Sequence, residues 1–228
     1  MKKNKRLLDL FLATLCLLIA WPFMLIIALV IKCVSPGPAV YKADRVGNNG
    51  KIFKLYKFRS MNVDSGKVRI TTLQNDDRVF SFGRFLRKSK LDEVLQIFNI
   101  FKSEMTVVGF RPEDIDNAET VFSGKYKKIL NSFPGLTSPA SLFDYTHGEL
   151  YESEEAYVKE FMPIKMEIEL YYAENSSFWY DIQIIFRTAW IIVCKILGKK
   201  KFTYPPEYSI ALDRLAAAKE KQVEKIEM

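Results

Sequence analysis

The stretch LLDLFLATLCLLIAWPFMLIIALVI, Leu7 to Ile31, carries Asp9 as its only charged residue. As an α-helix it would be about 37 Å long, enough to cross a hydrocarbon core of about 30 Å. Its length and the lack of a small-residue cleavage site after it make it a poor fit to a removed leader. Pro22, following Trp21, lacks a backbone donor and its ring crowds the preceding turn, so the helix is expected to kink or break there. Both flanks are basic, with Lys2, Lys3, Lys5 and Arg6 before the stretch and Lys32, Lys42, Arg45, Lys51, Lys54, Lys57 and Arg59 after it. The positive-inside tendency favours keeping both flanks in the cytoplasm. A helix that dips into one leaflet and returns satisfies both features. It is favoured over a spanning anchor, although a proline kink alone is tolerated in spanning helices.

Working outward, the charge is unevenly placed. Residues 1–60 hold eleven Lys or Arg against Asp9 and Asp44, a balance of +9, so the net +7 of the whole chain leaves −2 for residues 61–228. A basic front end beside an apolar segment points to anionic lipid or phosphorylated ligands. Nucleic acid is the competing partner, but the basic residues flank an apolar stretch that a duplex would not cover, and no nucleic-acid-binding module is present. At 228 residues, 49% hydrophobic and 27% charged, the chain suits one main domain with appendages. That composition excludes a disordered chain and a multi-span membrane protein. Cys16, Cys33 and Cys194 form no metal-ligand spacing or disulfide framework, and the single His147 leaves little material for zinc or Ser-His-Asp chemistry.

SPGPAV (Ser35–Val40) ends the membrane helix. VYKADRVGNNGKIFKLYKF (Val40–Phe58) then alternates on either side of Gly47–Gly50, a hairpin signal. Residues 64–77 read as a polar loop. FGRFLRKS (Phe82–Ser89) reads as a short basic helix, and Leu91, Leu95, Phe98 and Phe101 keep helical spacing into the next. SEMTVVGFRPE reads as a turn and residues 150–174 as an acidic helix. SFWYDIQIIFRTAWIIVCKILGKKK (Ser177–Lys201) suits either a core helix or one lying on a membrane, given Trp179, Tyr180, Trp190 and the closing lysines. Residues 208–228 read as a charged, peripheral helix.

SKLDEVLQIFN (Ser89–Asn99) places Asp92 and Glu93 at a helix start. Ser89 followed by Asp92 matches a capping pattern, and acids in a first turn complement the helix dipole, so the pair has an ordinary structural explanation. If the two acids react, phosphoryl chemistry suits them. Magnesium binds through one or two carboxylates plus substrate phosphates, and the remaining work is positioning and charge neutralisation. Arginines fit for phosphate contact recur nearby: Arg59, Arg84, Arg87 and Arg111. Each alone reads as a solvated surface charge.

KFRSM (Lys57–Met61), GRFLRKSKLDEVLQIFNIFKSEMTVVGFRP (Gly83–Pro112) and PGLT (Pro134–Thr137), in this order after an apolar segment with a central proline, resemble the bacterial sugar transferases, the small monotopic polyprenyl-phosphate phosphoglycosyl transferases. The resemblance covers roughly residues 5–200. It implies an α+β, mostly helical fold: a re-entrant membrane helix over residues 1–34 broken at Pro22, a catalytic domain with a small hairpin and interfacial helices over 35–205, and a charged tail over 206–228. It implies an enzyme at the cytoplasmic face of the bacterial inner membrane. Such an enzyme moves a sugar phosphate from a UDP-sugar to undecaprenyl phosphate with Mg²⁺, releases UMP and admits a homodimer. By the family's pattern Asp92 is the nucleophile that becomes a covalent phospho-sugar, Glu93 helps hold magnesium with Asp92, and Arg59, Arg87 and Arg111 neutralise phosphates. The alternative is an inactive membrane scaffold for glycan assembly, against which the intact acids and arginines speak. Three departures stand out. Trp21 replaces the usual Ser before Pro22, Phe110 replaces a common Pro, and SPASLFDY (Ser138–Tyr145) stands where the family runs GWAQVNG. The last leaves the donor sugar open.

Overall fold

The computed structural model of the protein describes residues 3–63, 78–151 and 153–227. The loop expected at residues 64–77 lies outside them. In chain order the elements are α1 (Lys3–Val34), β1 (Val40–Val46), β2 (Ile52–Phe58), α2 (Ser81–Ser89), a 3₁₀ stretch Leu91–Gln96 running into α3 (Ile97–Phe101), β3 (Thr106–Val108), α4 (Ile115–Val121) and β4 (Gly135–Thr137). They continue with α5 (Pro139–His147), α6 (Glu154–Ala156), a π-helical turn Tyr157–Phe161, α7 (Met162–Asn175), α8 (Phe178–Ile196) and α9 (Glu207–Glu227). The architecture is mostly helical with two small sheets, an antiparallel β1–β2 hairpin and a parallel β3–β4 pair.

α1 narrows one expectation. Pro22 lies inside a helix that continues on both sides of it, so the helix does not end and restart at the proline. The cost of the missing donor is borne within a long helix that packing supports from one side. Asp9, Ala13, Met24, Ile27 and Ile31 are buried at helical spacing, with Leu17 and Ala20 partly buried between them. The opposite face exposes Leu7, Phe11, Leu18, Phe23, Leu25 and Leu29. Polar ties hold the start of α1. Lys5 Nζ donates to the Val108 carbonyl at 2.8 Å, Arg6 to the Ile100 carbonyl at 2.7 Å, and the Asp9 carboxylate accepts from Thr106 Oγ1 at 2.6 Å and the Val107 N–H at 2.9 Å. Asp9, the lone charge of the apolar stretch, is therefore paired against β3. At the other end Arg59 holds the loop that follows α1, so both ends of the helix are tied to one body.

The hairpin forms as the alternation predicts, with Val40 opposite Phe58 and Val46 opposite Ile52. Phe53 and Leu55 point into one cluster with Ala13, Ile97, Ile100 and Met105, while Phe58 joins Met24, Ile27, Ile31, Leu86 and Leu95 in another. The segment read as a turn, SEMTVVGFRPE, instead holds β3, because the Thr106 N–H donates to the Pro134 carbonyl at 2.9 Å and the Gly109 N–H to the Thr137 carbonyl at 2.9 Å. Pairing with PGLT, distant in sequence, overrides the local turn chemistry. A β-carbon on Gly135 would lie 2.0 Å from the Gly109 nitrogen, so only glycine permits this crossing. α9 also departs from the peripheral expectation at its first turns. Glu207 is buried and accepts from Arg187 Nη1 at 2.9 Å, and Ala211 is buried with Phe143 and Ile168.

Candidate active site

Four segments converge on one open cleft of about 1280 Å³, lined among others by Lys57, Arg59, Arg87, Asp92, Arg111 and Asp144. β2 delivers Lys57 and Arg59. α2 delivers Arg87, and its Gly83 lets it sit on the Ser60 carbonyl, which a β-carbon there would meet at 2.1 Å. The β3–β4 crossing presents Arg111 just beyond Gly109.

The two acids sit on the 3₁₀ stretch, entered through Lys90 in a left-handed conformation at φ +59°. Ser89 is not their cap. It is the last residue of α2, and its hydroxyl donates back to the Phe85 carbonyl at 2.8 Å. Asp92 and Glu93 are both nearly buried, as are Gln96 and Asn99. Asn99 fastens this stretch to β2, since its amide donates to the Lys54 carbonyl and accepts from the Tyr56 N–H.

The two carboxylates are treated differently. Lys57 Nζ lies 3.0 Å, Arg111 Nη2 3.5 Å and Lys90 Nζ 4.0 Å from Glu93 Oε1. Burial alone would raise the Glu93 pKa, but Lys57, Lys90 and Arg111 together hold it well below the ordinary carboxylate range. Asp92 has no such set. Among the described residues its buried Oδ1 has no hydrogen-bond partner. Burial first, and then the adjacent Glu93 charge, push its pKa up against the pull of Lys57, Lys90 and Arg87. The geometry thus holds Glu93 ionised, whereas Asp92 lines the cleft with one of its two oxygens buried and unpartnered among the described residues.

The predicted arginines separate. Arg111 and Arg87 face the acids. Arg59 lines the cleft, yet its Nε donates to the Pro38 carbonyl at 2.7 Å, Nη1 to Ser35 Oγ at 2.8 Å and Nη2 to the Ser35 carbonyl at 2.7 Å. It is buried against the loop that follows α1. Sequence reasoning counted Lys57 only as a flanking charge. Its signal was available in the strand alternation, since Lys57 shares the inward face of Phe53 and Leu55. On a magnesium ion the residues bear as follows. Among the described residues no three His, Cys, Asp or Glu side chains gather. The adjacent carboxylates Asp92 and Glu93 match in kind a cation held by one or two carboxylates with its remaining shell from phosphate oxygens, with Glu93 Oε1 already engaged by Lys57 and Arg111.

The sequence model of the bacterial sugar transferase family matches residues 1–195. The chain belongs to the bacterial sugar transferase family. Among its relatives is the UDP-glucose:undecaprenyl-phosphate glucose-1-phosphate transferase of Escherichia coli. That protein is 36% identical over 192 residues, covering 81% of this chain and 39% of the relative. The UDP-N-acetylgalactosamine-undecaprenyl-phosphate N-acetylgalactosaminephosphotransferase of Aeromonas hydrophila is 34% identical over 190 residues, 81% of this chain and 42% of its own. A putative undecaprenyl-phosphate N-acetylgalactosaminyl 1-phosphate transferase of Bacillus subtilis is 40% identical over 134 residues, 58% of this chain and 70% of its own. The chain therefore spans about two fifths of the length of the first two relatives. They differ in the sugar their names carry, so kinship leaves the donor open.

Proposed function

We propose that this chain transfers a sugar phosphate from a UDP-sugar to undecaprenyl phosphate, with Asp92 as nucleophile. The observation that carries the reading is Asp92 at the wall of an open cleft that Arg87 and Arg111 also line, beside a Glu93 already compensated by Lys57, Arg111 and Lys90. A carboxylate nucleophile splits one difficult displacement into two easier ones.

In the first step Asp92 attacks the phosphorus that bears the sugar. An aspartyl oxygen–phosphorus bond forms as the bond to the bridging oxygen breaks, and UMP leaves with that electron pair. In the second step an oxygen of undecaprenyl phosphate attacks the same phosphorus. The aspartyl carboxylate is released and a polyprenyl-diphosphate-linked sugar results. Arg87 and Arg111 neutralise phosphate oxygens during both displacements. Lys57 keeps Glu93 oriented and compensated. Arg59 extends the cationic rim and fastens the Ser35–Pro38 loop to it. Magnesium, held by Asp92 and Glu93, would supply further neutralisation of phosphate charge.

The setting is the cytoplasmic leaflet of the bacterial inner membrane. Two outward apolar faces support it: that of α1, and that of α8, where Trp179, Phe186, Trp190 and Val193 are exposed at helical spacing. With both ends of α1 fastened to one body and both flanks basic, the protein sits in one leaflet with that body on one side. Such a position brings the cleft to headgroup depth, where a lipid phosphate lies. The test is UMP release from a UDP-sugar panel with undecaprenyl phosphate and magnesium, joined to trapping of labelled phospho-sugar on the protein. Asp92→Asn is expected to lose both. A variant that turned over normally would remove Asp92 from its role, and failure to release UMP from any donor would favour a scaffold.

A further inference from the structure

Across the cleft from the acids, α5 and the helical stretch after it build a second polar cluster that the displacement chemistry leaves unused. Asp144 Oδ2 accepts from Lys165 Nζ at 3.0 Å, and its Oδ1 accepts from the Tyr157 hydroxyl at 3.0 Å. Lys165 Nζ also lies 3.2 Å from the Tyr157 hydroxyl, so the three groups close a triangle. The backbone explains how they meet. Pro163 cannot donate to the residue four before it, and the helix answers with the π-helical turn Tyr157–Phe161, which carries Tyr157 onto Asp144.

Two features separate this cluster from an ordinary buried ion pair. The first is access. The Lys165 side chain is 6% exposed, whereas that of Asp144 is 27% exposed and lines the cleft. The carboxylate is thus fixed from behind and open in front. Burial opposes its ionisation, but Lys165 and Arg111 outweigh burial and hold its pKa below the ordinary range, so it presents acceptor oxygens only. The second is position. Arg111 feels both Glu93 and Asp144, and stands between the two clusters. The next residue, Tyr145, also borders the acids: burial chiefly, then Glu149, Asp92 and Glu93, push its phenol up to about 12. Its ring is pinned between the ammonium groups of Lys90 at 4.7 Å and Lys195 at 4.6 Å.

We propose that Asp144, oriented by Tyr157 and Lys165, is the specificity-determining residue for the donor sugar and accepts hydrogen bonds from the sugar's hydroxyl or amide N–H groups. A phosphorus placed between Asp92 and Arg111 directs its sugar toward the wall that Arg111 shares with Asp144. A fixed carboxylate there rewards a donor group that points at it and leaves a cost when the epimer turns that group away. Asp144 lies in SPASLFDY (Ser138–Tyr145), on α5.

This inference rests on the transferase reading, and one experiment separates their failures. UMP release is measured with UDP-glucose, UDP-galactose, UDP-N-acetylglucosamine and UDP-N-acetylgalactosamine for the unaltered protein, Asp144→Asn and Tyr157→Phe, with circular dichroism to verify folding. Asp144→Asn is expected to change the ratio of kcat/KM between best and worst donors by about tenfold, and Tyr157→Phe by less in the same direction. Inhibition by UMP, which lacks the transferred sugar, should stay unchanged. If Asp144→Asn does not fold, Tyr157→Phe decides, because it keeps the Asp144–Lys165 pair. Turnover whose donor ratios do not move, or fall uniformly, overturns the assignment of Asp144 alone. Absence of UMP from every donor with the unaltered protein overturns both readings.

Discussion

Asp92 and Asp144 line the same cleft and differ in what surrounds them. Both Asp144 oxygens accept hydrogen bonds, from Lys165 and Tyr157. Asp92 has a buried oxygen with no partner among the described residues, while the neighbouring Glu93 takes the cations. A carboxylate whose lone pairs are engaged is held still and suits recognition. One that lines the cleft with its lone pairs not all engaged suits bond formation. The unpartnered oxygen has a cost, since a buried acceptor without a donor destabilises a fold by about 1–3 kcal/mol, and such strain concentrates where chemistry is done.

The contrast can be broken in several places. The largest effect is expected from Asp92→Asn, which should lower UMP release by about 10⁴-fold, as removal of a nucleophile does, while leaving thermal unfolding within a few degrees or raising it. A residual rate above about one tenth of normal would mean that Asp92 is not the nucleophile. Next comes Lys57→Met. Loss of one cation aimed at developing or neighbouring charge should cost about 10²-fold in kcat/KM. If Lys57 matters only for packing, the rate would follow the folded fraction and no further.

The acidity of Asp92 offers a finer probe. Attack requires the carboxylate, and burial together with Glu93 raises its pKa above the ordinary 3.8. Activity should therefore rise with pH through an apparent pKa above that value. In Lys57→Met the rise should move to still higher pH, because a cation that favours the ionised form is gone. A profile unmoved by that substitution would show that Lys57 does not act on the pair. The smallest effect belongs to the other wall. Lys165→Met removes a charged hydrogen bond from Asp144 and should cost about 2 kcal/mol of stability, read as a lower Tm, together with altered donor ratios. A drop in Tm with unchanged ratios would make that wall purely structural.

Much of the fold could be read directly from local pattern. The hairpin was visible in the alternation around Gly47–Gly50, α2 and α8 in their helical spacing, and the long apolar helix in the absence of charge between Leu10 and Ile31. Each of these depends on residues close in sequence, whose periodicity reports burial on one face. What local pattern misread has a common cause. Ser89 resembled a cap but closes the preceding helix, because Lys90 takes a left-handed conformation between them. SEMTVVGFRPE resembled a turn but holds a strand, because its partner lies near residue 135. Pro22 resembled a break but sits in a helix packed along one side.

The sequence by itself determined which groups are available: two adjacent acids, a set of arginines and lysines, an apolar segment with basic flanks, and ordered motifs that mark a family. Tertiary structure decided how those groups are paired. It turned Arg59 onto the Ser35–Pro38 loop, brought Lys57 from a strand onto Glu93, left Asp92 without a partner, and closed Asp144, Tyr157 and Lys165 into one cluster. The reason is physical. Charge and hydrogen-bonding capacity belong to each residue, whereas desolvation and the choice of partner depend on what packing places within about 4 Å.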